Sequence, residues 1–404
     1  MKKVYSREDK TKMKDSCTTV DLDRIAHNAK TITKKYSDYK YFIGVLKSDA
    51  YGHGMRVVNE LYQNGVNYFA VATIDEAKEL RRYNKEAPVL LLEPIELSRI
   101  SEAEQLGLTL PVHEIGYAKE LLSLDRQKGL NIHLQVDSGF NRLGIKDKNE
   151  FKQVYDMLCD SVYNVEGVYQ HFATAGIFDA KWDAQVARFC EITSLVELKN
   201  IPIVHMGSGV ALLAHPKIDF ANGIRMGLVM YGYNIAPSAP GSGLKDRLRS
   251  VRNAFLKKKY NISRTFAGVD IDLKPAMSLD TRILQIKDVK KGETVGYNAA
   301  YTAERDMKIA VLPVGYNNGI GHKNLGRSVE INGKRYPAVG EPGMNMMSVK
   351  VDGTVKKEDR VTLLGSTISL GMFSRSVDMG LGESLMNVGK NNPRVYIKNR
   401  QKGE

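Results

Sequence analysis

Short apolar runs alternate with longer segments of helical periodicity between about residues 40 and 230. Runs of this kind are typical of parallel strands, which are covered on both faces and therefore carry few polar residues. The segments between them, such as 74–83 and 148–160, are amphipathic at helical spacing. The strand candidates are 41–47, 68–73, 88–93, 109–113, 131–137, 165–172, 203–209 and 223–227.

Regular alternation of strands and helices predicts a parallel sheet, and eight such units predict a closed (β/α)8 barrel. A doubly wound open sheet is the alternative. No run is followed by a GxGxxG or P-loop motif, however, which favours the barrel. We therefore assign residues 15–236 to a barrel domain.

The pattern changes after about residue 275, where strand candidates come with hairpin signals. Asn332-Gly333 and Asp352-Gly353 each separate two apolar stretches, as in two-residue hairpins. No long helical stretch is evident, so 275–404 is predicted to be a mostly-β domain. Residues 237–274 open with PSAPGSG and continue as a basic, helix-capable run, which indicates a linker or insertion. The predicted fold class is α/β, a (β/α)8 barrel followed by a mostly-β C-terminal domain.

Composition narrows the function classes. The 404 residues suit two domains, and 43% hydrophobic with 26% charged residues is ordinary for a globular protein. The net charge of +13 is spread over separate clusters without a nucleic-acid-binding motif, so no nucleic-acid partner is expected.

Cysteine usage and the N-terminus carry no sign of a metal site or of targeting. Cys17, Cys159 and Cys190 lack metal-ligand spacing, so no metal site is expected. No apolar stretch follows the basic N-terminus, and none approaches 18 residues. We expect a cytoplasmic protein without a membrane partner.

The residues that close the barrel runs are the candidates for chemistry, because barrel active sites lie at the carboxyl ends of the strands. They are Lys47, His113, Asp137, His171, Ser208 and Arg225. A lysine facing a partly desolvated cavity can form a Schiff base, although a lone lysine at a strand end is more often a solvated surface residue.

The residues around Lys47 resemble a known motif. The segment VLKSDAYGHG (45–54) resembles the cofactor-lysine motif KANAYGHG of the alanine racemase family. Further segments resemble the family in the same order: 19–32, VDSGFNRLG (136–144), YQHFATA (169–175), GIRMGLVMYG (223–232), LKPAMSLDTRI (273–283), VGYNAAYTA (295–303) and LPVGYNNG (312–319).

The resemblance implies a racemase that uses pyridoxal 5'-phosphate and two bases, one on each face of the substrate carbanion. Lys47 would hold the cofactor and serve one face. Tyr297, in VGYNAAY, would serve the other from the partner subunit of a homodimer that shares its active sites. His171 matches the histidine next to that tyrosine.

The remaining site residues also follow from the resemblance. Arg225 would face the pyridine nitrogen, His205 would support it, and Arg142 would contact the cofactor's phenolic oxygen and the substrate carboxylate. The phosphate would be held by Tyr51, Ser208, Gly209 and Gly227. Met344 and Asn345 would contribute to substrate binding from the partner.

The chain departs from the family's pattern at several of these places. Gln135 stands where the family commonly has a lysine. Ser208-Gly209 stands where the family has an Asn-Ser pair, and Met344-Asn345 where it has a Met-Asp pair. Asn318 replaces an aspartate, and Leu385 aligns loosely with a tyrosine that narrows the pocket. We therefore expect a pocket altered in charge and enlarged, with alanine, serine, ornithine or lysine as the substrate.

Three other functions remain open from the sequence. A decarboxylase of basic amino acids on the same fold would carry a cysteine in its β domain, whereas all three cysteines here precede residue 191. A non-catalytic cofactor carrier would lack the C-terminal domain and Tyr297. A basic binding module would bind no cofactor.

Overall fold

The computed structural model describes residues 4–5, 16–124, 126–176, 180–235 and 269–399, together with 248, 251–252, 254–255 and 258–259. The expected linker, 237–274, therefore lies mostly outside the described residues. In chain order the strands are β1 (Val4–Tyr5), β2 (Cys17–Asp21), β3 (Tyr41–Val45), β4 (Tyr68–Val71), β5 (Val89–Leu91), β6 (Leu108–Val112), β7 (Asn131–Gln135), β8 (Asn164–Tyr169), β9 (Ile203–Ser208), β10 (Gly223–Met226), β11 (Met277–Arg282), β12 (Gln285–Val289), β13 (Thr294–Val295), β14 (Tyr301–Thr302), β15 (Met307–Leu312), β16 (Ser328–Ile331), β17 (Lys334–Val339), β18 (Met347–Val351), β19 (Arg360–Leu364) and β20 (Arg394–Ile397). The helices are α1 (Leu22–Lys35), α2 (Lys47–Tyr51), α3 (Val57–Gln63), α4 (Ile74–Arg81), α5 (Ile100–Gln105), α6 (Ile115–Ser123), α7 (Lys148–Cys159), α8 (Lys181–Thr193), α9 (Gly209–Ala214), α10 (Leu370–Val377) and α11 (Leu381–Asn391).

Strands β3 to β10 form a closed parallel barrel, in which β10 pairs with both β9 and β3. Each of the eight predicted runs supplies one strand, so the predicted barrel is confirmed. The helices between the strands bury one face each. In α7, Asp147 caps the first turn by accepting hydrogen bonds from two backbone N–H groups, and Phe151, Val154 and Leu158 are buried. Burial of each such side chain contributes about 1.5–3 kcal/mol.

The C-terminal domain is built on a ten-stranded sheet ordered β1-β20-β2-β11-β19-β16-β17-β18-β15-β12. Asn332 and Gly333 join β16 to β17 with φ values of +50° and +77°, as a type I′ hairpin requires. The mostly-β domain is thus confirmed, together with this hairpin.

The second predicted hairpin, at Asp352-Gly353, is wrong. Strand β18 ends at Val351, and the next strand begins only at Arg360 and pairs with β11 and β16. The Asp352 carboxylate accepts the backbone N–H of Thr354 at 3.0 Å. This local turn starts a loop, because the side chain satisfies the donor that a hairpin would use.

Two further features differ from the sequence expectation. Strand β2 belongs to the C-terminal sheet, where it pairs with β11 and β20, although the expected boundary assigned it to the barrel domain.

Helices α10 and α11 lie in the segment in which no long helical stretch was expected. Both are short and interrupted by glycine and serine, which weakened their periodic signal, yet both bury an apolar face.

Among the described residues, no helix is long and apolar enough to cross a membrane. Within the same part of the chain, no group of three or more histidine, cysteine, aspartate and glutamate side chains is placed to hold a metal ion.

Candidate active site

A cavity of about 520 Å³ opens at the carboxyl ends of the barrel strands. It brings together most of the residues that the sequence analysis selected. Those that line it are Lys47, Tyr51, Arg142, His171, Ser208, Gly209, Arg225 and Gly227.

Lys47 begins a turn with a rare backbone conformation. Ser48, Asp49, Ala50 and Tyr51 all have φ between +52° and +56°, the left-handed region. Left-handed helical geometry costs roughly 1–2 kcal/mol per residue outside glycine. A turn of four such residues persists only where its surroundings hold it in place, and strained backbone of this kind is concentrated at functional sites.

The surroundings that hold this turn come from both domains. Within the barrel, the Glu76 carboxylate accepts the backbone N–H of Ser48 at 2.6 Å. From the C-terminal domain, Arg394 forms an ion pair with Asp49 and donates to the carbonyl oxygen of Gly52 at 3.0 Å. A side chain at Gly389 in α11 would collide with that same carbonyl group. The C-terminal domain therefore fixes the turn that carries Lys47.

Arg225 is 4% exposed and is anchored by the barrel wall. Its Nη1 donates to Nδ1 of His205 at 2.9 Å and to the His205 carbonyl at 2.8 Å, and Nη2 donates to the Gln170 carbonyl at 2.7 Å. Burial lowers the pKa of Arg225 to about 10, which leaves it charged at neutral pH. Within the described chain, Nε–H of this guanidinium has no hydrogen-bond acceptor, although the residue lines the cavity.

His171 lies beside Arg225, and Nη2 of the arginine donates to its Nδ1 at 3.1 Å. Burial, with the charges of Arg225, Arg142 and Lys47, lowers the pKa of His171 to about 3. The ring is therefore neutral at physiological pH. Because Nδ1 accepts, its proton is on Nε2, where it can be donated.

Arg142 is presented by the loop that follows β7. The buried carboxylate of Asp137 accepts the backbone N–H groups of Gly139 and Asn141, each at 3.0 Å, and so shapes this loop. The Arg142 guanidinium lies 4.4 Å from the ring centroid of Phe140. Asp137, a strand-end candidate, thus supports Arg142 and does not itself line the cavity.

Two glycines, Gly209 and Gly227, also line the cavity. A side chain on Gly227 would lie 3.1 Å from the Tyr51 hydroxyl, and one on Gly209 would lie 2.9 Å from Val229. Both glycines therefore allow close packing, and their backbones line the cavity together with the hydroxyl-bearing residues Tyr51 and Ser208. Such a surface suits an anion with several acceptor oxygens.

Tyr297, Met344 and Asn345 lie elsewhere. They line a second, more open groove of about 510 Å³ on the C-terminal domain. Tyr297 is 68% exposed and Met344 56%. Within one chain, the structure therefore does not bring these three residues to the cavity.

Three other sequence candidates have structural positions. The His113 ring packs at 5.3 Å from Tyr117, outside the cavity. Asn318 donates to Asn392 at 2.9 Å in a turn of the C-terminal domain. Leu385 is fully buried in α11. The expectation that Asn318 and Leu385 alter the charge and size of the pocket is therefore wrong for the cavity of a single chain, because neither lines it.

Sequence reasoning missed several residues that line or support the cavity. Tyr169 lines it, donates to Gln135 at 2.9 Å and stacks on His205 at 4.8 Å. Glu93, the last residue of the predicted run 88–93, also lines it. Strand periodicity could have found Tyr169, because it precedes His171 by two positions and so shares its face.

Comparison with known proteins agrees with this geometry. The model of the alanine racemase N-terminal domain matches residues 20–235, and that of the alanine racemase C-terminal domain matches 276–396. An alanine racemase of Staphylococcus epidermidis is 32% identical over 386 residues, which cover 93% of each chain.

Solved structures give the same result. The crystal structure of alanine racemase from E. faecalis superimposes with a TM-score of 0.83 at 26% identity, covering 98% of this chain and 100% of that one. The alanine racemase of Bacillus anthracis, solved with bound L-Ala-P, gives 0.79 at 29% identity, with 96% of both chains covered. These matches favour the racemase over the decarboxylase, the cofactor carrier and the binding module. The chain belongs to the alanine racemase family and is an amino-acid racemase.

Proposed function

We propose that this racemase binds pyridoxal 5'-phosphate in the 520 Å³ cavity, with Lys47 as the residue that holds it covalently. The alanine racemase family uses this cofactor. The observation that carries the proposal is the convergence of Lys47 and the unpaired Nε–H of Arg225 on one cavity. A primary amine there can bind an aldehyde, and an arginine donor matches a pyridine nitrogen with a free lone pair.

The cavity also fits the charged ends of the cofactor and the substrate. Tyr51, Ser208, Gly209 and Gly227 supply hydroxyl and backbone groups for the phosphate. Arg142 supplies a guanidinium for the substrate carboxylate, which it can bind through two parallel hydrogen bonds.

The bound cofactor would supply the electron sink that acidifies the substrate's Cα proton. The protein would supply positions for proton transfer. Lys47 would move a proton on one face, and Arg225 would stay a donor because a guanidinium does not release its proton. A hydrogen bond from this donor would keep the ring nitrogen of a bound cofactor unprotonated, and so would favour proton return to Cα.

The second face needs a base that the cavity of one chain does not contain. We infer that the partner subunit's Tyr297 supplies it in a homodimer. The exposed side chains of Tyr297, Met344 and Met346 are grouped on one surface, and an exposed apolar patch commonly marks a protein interface. The partner's Met344 and Asn345 would then border the substrate.

Mixed dimers test this arrangement. Lys47→Ala and Tyr297→Phe proteins should each be inactive, and mixing them should restore part of the activity, because a heterodimer contains one intact site. Mixed dimers that form and remain inactive, while both parents keep their ligand affinity, would show that Tyr297 does not act across the interface.

The finer substrate range is also a proposal. Alanine is the substrate that the relatives' names indicate. The Glu93 carboxylate lines the cavity and has neither a hydrogen bond nor an ion pair with the described residues. This observation favours ornithine or lysine as additional substrates, since an ammonium group could pair with the carboxylate.

Purified protein loaded with pyridoxal 5'-phosphate should convert L-alanine to D-alanine, measured by chiral chromatography. Lys47→Ala should abolish the conversion, whereas Lys85→Ala should not, because Lys85 is exposed and does not line the cavity. Failure of the loaded wild-type protein to racemise any amino acid would overturn the proposal. The cytoplasmic location expected from the sequence stays a prediction, which cell fractionation tests.

A further inference from the structure

A row of hydrogen-bonded side chains leads from Arg225 into the barrel interior. Nη1 of Arg225 lies 2.9 Å from Nδ1 of His205, and Nε2 of His205 lies 2.9 Å from Nδ1 of His133. Nε2 of His133 lies 3.2 Å from Oε2 of Glu166. Both histidines are fully buried. The row thus joins the cavity to a carboxylate on the first half of β8.

The direction of these hydrogen bonds is fixed by chemistry. A guanidinium can only donate, so Nδ1 of His205 must accept. A neutral His205 then carries its proton on Nε2 and donates to Nδ1 of His133. His133 in turn carries its proton on Nε2 and donates to Glu166. With neutral rings, only this set of tautomers satisfies every bond.

Charge considerations agree with neutral rings. Burial and the charge of Arg225 lower the pKa of His205 well below its ordinary value. Burial also lowers the pKa of His133, although Glu166 opposes this effect. Burial raises the pKa of Glu166, but hydrogen bonds from His133 and Tyr68 outweigh it and leave the pKa below the usual value. At neutral pH the row runs from a cation to an anion through two neutral rings.

The row also supplies the negative charge that Arg225 lacks among its direct hydrogen-bond partners. Its hydrogen bonds within the described chain go to carbonyl oxygens and imidazole nitrogens, and none goes to a carboxylate. A buried charge without a compensating partner is costly. Glu166 provides the compensating charge through the two imidazoles.

We propose that Glu166 is a positioning residue for Arg225 and acts through the tautomers of His133 and His205. Without the carboxylate, His133 can carry its proton on Nδ1. This N–H group would then point at the Nε2–H group of His205, so that two donors face each other. The two donors no longer clash if the His205 proton moves to Nδ1. There it would clash with the N–H group of Arg225, and the guanidinium would be displaced. The proposal rests on the proposed function only in placing Arg225 against the cofactor.

Glu166 also has contacts that could make it merely structural. It accepts from the Tyr68 hydroxyl at 2.7 Å and from Asn131 at 3.1 Å. The test must therefore separate the row from this packing. Tyr68→Phe is the matched control, because it removes a hydrogen bond to the same oxygen of Glu166 and leaves the row intact.

The experiment uses the cofactor-loaded protein labelled with 15N-histidine and compares wild type, Glu166→Ala, Glu166→Gln and Tyr68→Phe by NMR. The chain has 8 histidines, and His133→Gln and His205→Gln variants assign the two relevant signals. In the wild type and in Tyr68→Phe, both rings should be neutral with the proton on Nε2. Glu166→Ala should populate the other tautomer, whereas Glu166→Gln should keep the wild-type pattern because its amide oxygen can still accept.

Turnover should follow the tautomers. At metal sites, loss of the outer residue that orients a ligand typically costs about 10–100-fold, and Glu166 would orient Arg225 in a comparable way. We expect Glu166→Ala to lower kcat by that factor with little change in KM. It should also raise, by about 10-fold per racemisation event, the abortive half-transamination in which the amino group of alanine passes to the bound cofactor and pyruvate is released. Glu166→Gln and Tyr68→Phe should stay within about 3-fold of wild type.

An unchanged tautomer pattern in Glu166→Ala would overturn the proposal, and so would an equal effect of Tyr68→Phe. If Glu166→Ala does not fold, the wild-type signals decide, since a proton on Nδ1 of either histidine contradicts the row. Absence of racemisation with the expected tautomers would count against the proposed function and leave this inference standing.

Discussion

Nη2 of Arg225 donates a hydrogen bond to Nδ1 of His171 across 3.1 Å, which leaves Nε2–H of this neutral histidine as a donor facing the cavity. In the proposed homodimer, that donor would be suited to stabilise the ionised hydroxyl of the partner subunit's Tyr297. General acid–base assistance of this kind typically contributes about 10²–10⁴-fold. We expect His171→Phe to lower kcat/KM by about 10²-fold. It should also shift the acidic limb of the pH profile, on which activity rises with pH, to higher pH, because the donor that favours the ionised hydroxyl is lost.

Phe140→Leu is the control for His171, because the Phe140 ring packs edge-on at 5.2 Å from His171 and takes no part in its hydrogen bonds. Its profile should keep the wild-type limbs. If the pH profile of His171→Phe is not shifted, His171 takes no part in proton transfer.

The contact between Gly52 and Gly389 makes the lysine turn depend on the C-terminal domain. Alanine normally stabilises a helix interior relative to glycine by about 1 kcal/mol. Gly389→Ala should instead destabilise the protein by about 1–3 kcal/mol, because the added methyl group collides with the Gly52 carbonyl. Thermal unfolding measures the stability. Because the substitution displaces the turn that carries Lys47, the rate of cofactor loss should also rise.

Gly371→Ala in α10 is the matched substitution, since the nearest neighbour of its added methyl group is Arg375 Nη1 at 3.6 Å. It should leave cofactor retention unchanged. Equal behaviour of the two alanine variants would mean that α11 can move away from Gly52 without cost.

Buried neutral histidines predict how stability depends on pH. Burial lowers the pKa of His53 to about 3, whereas an imidazole in the unfolded chain titrates near 6.5. The unfolded state therefore binds more protons between about pH 3 and 6.5, and the contribution of His53 is complete above that range and lost as pH falls through it. Each such histidine should add about 1.4 kcal/mol per pH unit to the slope of the free energy of unfolding against pH.

Urea unfolding at several pH values tests this expectation. His53→Phe can keep the ring stack on Tyr231, at 4.2 Å in the wild type, and should reduce the slope by about one proton. The exposed His322→Phe variant is measured beside it. If both substitutions reduce the slope equally, His53 has no special part in acid unfolding.

Glu93 should control the use of basic substrates. A charge-assisted hydrogen bond is worth about 1.5–3 kcal/mol, which corresponds to about 10–100-fold. Glu93→Gln should lower kcat/KM for ornithine or lysine by that factor and change the value for alanine by less than about 3-fold. Glu114→Gln, at an exposed position, is the control. A wild-type enzyme that turns over alanine alone would show that Glu93 does not widen the specificity.

The barrel and its site could be predicted from the sequence because their signals are local. Buried parallel strands are apolar throughout, and each polar residue at the end of a run, such as Lys47 or Arg225, falls at the mouth of the barrel. Helix α11 was missed because its periodicity is interrupted by Gly382 and Gly389, and Gly389 is needed for the contact with Gly52.

Residue matching alone did not predict where two of the matched residues lie within a single chain. Asn318 and Leu385 fall in recognisable segments, yet one holds a turn and the other fills a core. The interior row of His133, His205 and Glu166 could not be foreseen, because its members come from three strands and their hydrogen bonds depend on barrel closure.

Covalent labelling of Lys47 tests the central claim most directly. The cofactor-loaded protein is reduced with borohydride, digested, and its modified peptides are mapped by mass spectrometry. The account predicts a phosphopyridoxyl group on Lys47, within residues 45–54, and no label in Lys47→Ala. A label on another lysine of the wild-type protein, with Lys47 unmodified, would contradict it.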